Sequence, residues 1–84
     1  MKLADEIIEE MISMKDESQS AILARFFKTG KGEYGEGDKF LGIKVPATRS
    51  LIKKFKNNIS LEDIEQLINS EWHEIRLAGF LLLT

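Results

Sequence analysis

Apolar positions recur at helical spacing from the first residues of the chain. Ala4, Ile7, Ile8, Met11 and Ile12 follow the i, i+3, i+4 rule on one face, and Asp5, Glu6, Glu9 and Glu10 take the other. This predicts a first helix near 2–14. A second, near 16–28, starts at Asp16 or Ser18, whose side chains can accept a first-turn N–H, and carries Ala21, Ile22, Leu23, Phe26 and Phe27 as its apolar side. The short link predicts that these two helices pair antiparallel. Pro46 suits the first turn of a third helix near 46–57, with Ala47, Leu51, Ile52 and Phe55 facing inward until Asn57 and Asn58 stop it. Ser60, followed by Glu62 and Asp63, caps a fourth near 60–69 that buries Leu61, Ile64, Leu67 and Ile68. Ser70 caps a fifth near 71–84, carrying Trp72, Ile75, Ala78, Leu81 and Leu82. No segment shows convincing strand character.

Between the second and third helices the texture changes. Residues 29–38 hold four of the six glycines, and no regular helix tolerates that without cost. Phe40, Leu41 and Ile43 follow as a short apolar stretch broken by Gly42. Five helices with short connections make an all-α fold, either stacked HEAT-like helix pairs or a plain bundle, and the weak internal repeat leaves both open. Leu77, Phe80 and Leu83 make the last helix apolar nearly all round, which asks for burial on several sides. With no glycine or polar C-cap near Thr84, residues 1–84 are expected to be the N-terminal portion of a longer helical-repeat domain, truncated at the C-terminus. Leu77, Phe80, Leu81 and Leu83 should then be partly exposed, or covered by self-association through that helix.

Composition narrows the class. Eighty-four residues make one small domain at most. No apolar run approaches the ~18 residues of a membrane-spanning helix, and the early turn to Asp5 and Glu6 leaves no room for a secretion signal. A cytoplasmic protein with no membrane partner is expected. No cysteine and a single histidine argue against a disulfide framework and a structural zinc site, so no metal is expected. The net charge of −2 conceals a pattern. Residues 1–24 carry two basic and six acidic side chains, residues 25–56 nine and three, and residues 57–84 one and five. A basic middle between acidic ends matters for encounter with a polyanion more than the net value does.

Among candidate motifs, Gly30-Lys31-Gly32-Glu33-Tyr34-Gly35 matches G-x-G-x-x-G, but it follows a helix rather than a strand and no helix starts directly after it. Phe55 and Lys56 stand where the ribose-binding acid of a dinucleotide site belongs. It reads as a structural or DNA-approaching loop. Glu6, Glu9 and Glu10 read as a solvated helix face, His73 as a helix-surface or interhelical contact rather than a general acid or base, and Trp72 as core or interface. The stripe Lys44, Arg49, Lys53, Lys54 and Lys56 carries more. No acidic residue lies between Asp38 and Glu62 to pair with it locally, and a glycine-bearing loop beside it could bring backbone N–H groups to phosphate oxygens. With few aromatics interleaved, a duplex backbone suits it better than a stacked single strand.

The run from Phe26 to Asp38, then Phe40-Leu41-Gly42-Ile43-Lys44-Val45-Pro46 and Arg49, resembles the AlkD-like DNA alkylation repair family. His73-Glu74-Ile75-Arg76-Leu77-Ala78 resembles the start of one of its repeat helices. The resemblance covers the chain from about residue 20. It implies a superhelix of HEAT-like repeats whose concave basic face holds duplex DNA, and a glycosylase that excises cationic alkylated purines. In that family an Asp carboxylate and tryptophan faces, aided by an Arg, stabilise the departing cation without a metal or organic cofactor. Those catalytic residues are expected on later helices, and none carries over here. What carries over is a DNA-backbone role for Lys44, Val45 and Arg49, with Lys53 and Lys54 joining from the stripe. Val45 stands where some relatives have threonine, so only its backbone N–H could serve a phosphate. Two functions stay open: the N-terminal part of a DNA glycosylase-type repair protein, or a non-catalytic HEAT-like module that binds protein or nucleic acid. The lesion is not specified.

Overall fold

A computed structural model describes residues 2–26 and 38–83. It holds five helices: α1 (Leu3–Ser13), α2 (Glu17–Phe26), α3 (Val45–Lys53), α4 (Leu61–Ile68) and α5 (His73–Leu82). Among the described residues there is no strand, only an isolated parallel bridge between Lys39 and Trp72. No described helix is long and apolar enough to cross a membrane.

The core forms where four of the helices meet. α5 packs on α4 and α3, and α1 lies across the same two helices. Ile7, Met11, Leu41, Leu67 and Ile75 are sealed from solvent between them. Gly79 permits a close approach of α5 to α4, since a Cβ there would stand 2.8 Å from Ile68 Cγ1 and 3.1 Å from the Ile68 nitrogen. The expected faces of α1 and α3 hold in outline: Ala4, Ile7 and Met11 are buried, as are Leu51 and Ile52, with Ala47 and Phe55 half-buried.

Five expectations change. α1 and α2 do not organise the molecule as a hairpin, because α1 packs on α3 and α4. α2 buries no residue, with Ala21, Ile22 and Phe26 exposed, and it turns Gln19, Ser20, Leu23 and Ala24 toward the protein. The Ser20 hydroxyl, which donates to the Phe40 carbonyl, sets that rotation; Phe27 lies outside the described residues. α3 stops at Lys53, and residues 54–58 continue as i→i−3 turns such as Phe55 N–H to Ile52 O at 3.0 Å. Leu61 is 76% exposed, because Asp63, two residues on and so roughly opposite on the helix, takes the inward position. α5 begins at His73, since the Ser70 hydroxyl accepts from Trp72 N–H and so caps the preceding turn. On α5 itself Leu77 and Leu81 are half-buried, while Phe80 and the following Leu83 are each 54% exposed.

Asp63 explains how α4 and α1 are fastened. Ser60 and Asp63 form a reciprocal capping box at the start of α4. The same carboxylate accepts from Ala4 N–H at 3.3 Å, in the first turn of α1, whose own N-cap residue Lys2 offers no side-chain bond. Burial alone would raise the Asp63 carboxyl, but the Ser60 hydroxyl and the N–H groups of Ala4 and Ser60 outweigh it and hold it below the ordinary value. A depressed carboxyl contributes stability that is present above the unfolded value, near pH 4, and is lost as pH falls through the lower folded one. Thermal melts between pH 5 and pH 2 should therefore show the wild type losing stability below about pH 4. Asp63→Asn should melt lower at neutral pH and lose part of that acid dependence; parallel curves for the two proteins would contradict the assignment.

Candidate nucleic-acid interface

The strap 38–44 joins the glycine-rich region to α3, and among the described residues its backbone is bonded without any sheet. Glu74, in the first turn of α5 and almost fully buried, accepts three successive N–H groups: Leu41 at 2.8 Å, Gly42 at 2.9 Å and Ile43 at 3.3 Å. The strap's carbonyls are taken separately. Lys39 O accepts from His73 N–H, Phe40 O from the Ser20 hydroxyl, and Leu41 O from Asp16 N–H. Consecutive N–H groups converging on one anion form a backbone nest, which needs a residue in the left-handed region. Gly42 supplies it at φ +88°.

A second clamp holds the start of the strap. The Asp38 carboxylate accepts from Arg76 through one oxygen and from His73 Nδ1 at 3.1 Å through the other. Because an ionised carboxylate can only accept, Nδ1 carries the proton. Burial would raise Asp38, yet the hydrogen bonds from Arg76 and His73 hold it below its ordinary value. The His73 ring also stacks at a tilt on Phe40, with centroids 4.6 Å apart. His73 thus ties α5 to the strap through a hydrogen bond and a ring contact, and Trp72 is half-buried under the Lys15 ammonium at 5.2 Å.

The strap delivers the chain to α3, where the structure sorts the five candidate contacts. Val45, Arg49 and Lys53 stand four residues apart on one exposed strip. Arg49 and Lys53, joined by Lys56 from the following turns, line an open hollow of about 370 Å³ with Ser50, Ile52 and Leu81. Among the described residues no ion pair engages these three cations. Lys44 is the N-cap residue and makes no side-chain cap bond, so the N–H of Val45 opens the helix uncapped. Near the same end, Asp16 is held below its ordinary value by Gln19 N–H and the Ser18 hydroxyl, with Lys44 adding to the effect. Lys54 lies apart: it reaches Glu10 of α1 at 3.4 Å, an exposed pair of small energetic weight. The absence of acids in the neighbouring sequence did not foresee a partner from another helix.

Two further readings meet the structure differently. The G-x-G-x-x-G run lies outside the described residues. The N–H groups of Leu41, Gly42 and Ile43, by contrast, are not available to phosphate, because Glu74 occupies them. Sequence reasoning passed over Glu74, although a carboxylate sharing the inward stripe of Ile75, Ala78, Gly79 and Leu82 was a usable signal. His73 and Arg76, three residues apart on one helix, were likewise a signal for a shared anion.

The chain matches the family model of the DNA alkylation repair enzymes over residues 7–84. It belongs to that family. Searches of curated proteins and of solved structures find no match. The family's fold is HEAT-like, which decides between the two all-α readings in favour of stacked helices. In this member of the DNA alkylation repair enzymes, the described residues include no group of three or more His, Cys, Asp or Glu side chains placed to hold a metal ion.

The nest makes Gly42 the least replaceable residue of the strap. A Cβ there would stand 2.3 Å from Asp16 O and 2.8 Å from Ser20 N, both backbone atoms that cannot swing away. With the positive φ added, Gly42→Ala should destabilise by more than about 1 kcal/mol. Urea unfolding monitored by far-UV circular dichroism checks this, and an unchanged midpoint would refute the strain argument.

Proposed function

We propose that this chain supplies scaffold and phosphate contacts to a DNA alkylation repair protein of the glycosylase type, one that acts on cationic alkylated purines in duplex DNA. Residues 1–84 form the N-terminal helical-repeat portion of that domain in this reading. The observation that carries it is the convergence of Arg49, Lys53 and Lys56 on one open hollow with no carboxylate paired to them among the described residues. Lys44 and the backbone N–H of Val45 extend the contact along the same helix, and Lys54 adds to the local field while held by Glu10. Contacts of this kind carry no base information, which suits a protein that must scan for damage irrespective of sequence.

Excision is assigned to no residue of this chain. Stabilising a cationic leaving group takes an available carboxylate and an available aromatic face. The one tryptophan already has a lysine over its ring, and the carboxylates of Asp38, Asp63 and Glu74 already hold Arg or N–H partners.

The test is a titration of a labelled duplex by fluorescence anisotropy at several salt concentrations. Weak, sequence-neutral binding that falls as salt rises is expected. Each lost phosphate contact lowers the slope of log K against log salt by about 0.9, so Arg49→Ala with Lys53→Ala should flatten it by about 1.8. Both side chains are exposed, so the double variant should keep the wild-type circular dichroism spectrum. Equal slopes for the two proteins would leave the stripe a solvated face and favour a HEAT-like module that binds protein. The purified chain should release neither 7-methylguanine nor 3-methyladenine from alkylated duplex; measurable release would overturn the assignment of excision elsewhere.

A further inference from the structure

We infer that Glu74 is a positioning residue for DNA contact: its carboxylate fills the anion nest of residues 41–43 and thereby holds Lys44 and the N–H of Val45 in the place where a phosphate can reach them. The inference rests on the DNA-backbone reading above and adds to it a residue that never touches DNA.

Three observations support it. The carboxylate accepts all three N–H groups that precede Lys44, at 2.8, 2.9 and 3.3 Å, and is almost fully buried while doing so. Secondly, the strap's carbonyls are spread over α2, the α1–α2 link and the start of α5, and among the described residues only Glu74 gathers consecutive N–H groups of the strap. Thirdly, α3 begins directly after it. Lys44 takes extended backbone angles as N-cap, φ −73° and ψ 149°, and offers no side-chain cap, so what fixes the first turn is the strap behind it. A phosphate contact made by a preformed turn avoids the ordering cost that a loose one would bear.

The nest also explains why an acid belongs beside a proposed DNA surface. An empty ring of N–H groups would itself attract phosphate and would hold a duplex at the strap instead of along α3. Glu74 occupies that ring from inside, so anion contact is left to Lys44, Val45 and the Arg49–Lys53 strip.

The experiment compares wild type, Glu74→Ala and Glu74→Gln at a temperature where circular dichroism shows all three folded. Amide exchange of Leu41, Gly42 and Ile43 is followed beside duplex titrations. Glu74→Ala should expose the three amides and weaken duplex binding roughly tenfold, the factor of one charge-assisted hydrogen bond. Its salt slope should fall by about 0.9, the share of Lys44. Acetate is the fragment this substitution removes. Added at constant ionic strength against a chloride control, it should refill the nest, slow exchange and restore affinity. Glu74→Gln fills the nest with one acceptor oxygen, and should bind with intermediate affinity and ignore acetate. Should Glu74→Ala prove unfolded, the comparison of Glu74→Gln with wild type decides alone: faster exchange at 41–43 with unaltered affinity overturns the inference. Wild-type binding that Glu74→Ala leaves unchanged overturns it too, as does acetate that restores amide protection without affinity. Absence of wild-type binding overturns the DNA reading and this inference together, which separates the two failures.

Discussion

A buried stretch of extended backbone must place its N–H and C=O groups somewhere, and in this protein one carboxylate resolves that requirement. The strap 38–44 runs through the core, with Phe40, Leu41 and Ile43 buried, yet among the described residues no strand lies beside it. Three N–H groups left unbonded in that setting would cost several kcal/mol together. Glu74 takes all three, and the cost of burying its charge is offset by the number of donors it satisfies. Remove that interaction and the apolar side chains of the strap lose their reason to stay inside. α2 then loses its attachment as well, since Asp16 and Ser20 hold it to the same strap.

The same device recurs at smaller scale. Asp63 closes the capping box of α4 and reaches the first turn of α1, and Asp38 ties the strap to α5 through Arg76 and His73. Asp63 and Glu74, in the first turns of α4 and α5, take backbone N–H donors from segments distant in sequence, and Asp38 takes side-chain donors from α5. A small domain with modest apolar area gains cross-links this way, where a secreted protein of its size would use disulfides. With no cysteine in the chain, carboxylates serve that purpose.

The helices were legible because each announces itself by period and by caps. Ser60 with Asp63, Pro46 in the first turn of α3 and Asp16 before α2 all act as their residue types suggest. The family was legible too, since the run from Phe26 to Arg49 is long and specific, and the match over residues 7–84 agrees with it. What escaped were interactions that depend on which segments meet. Leu61 fitted an apolar stripe that Asp63 pre-empts, and Ile22 belonged to a face that Ser20 rotates outward. Glu74 carried no reading of its own, because its role depends on the strap that donates to it. Period and composition describe a helix alone; they do not say which of its faces receives a neighbour's backbone.

Charge illustrates the same point, and it bears on how a duplex would lie. The net value of −2 counts every acid equally, yet Asp16, Asp38, Asp63 and Glu74 are turned toward N–H or Arg donors of their own molecule. Glu10 and Glu71 sit against Lys54 and Lys39. Among the described residues Arg49, Lys53 and Lys56 have no such partner, and they line one hollow together. The two sides of α3 therefore differ. Glu10 borders the Lys54 side and disfavours a phosphate there, while among the described residues the strip from Val45 through Arg49 to Lys53 has no acid paired along it. On the proposed DNA reading, a backbone following the positive potential would be steered to that strip, with Lys44 at one end and Lys56 at the other. In that reading the acidic character of α1 would bound the contact surface and set its orientation on the molecule.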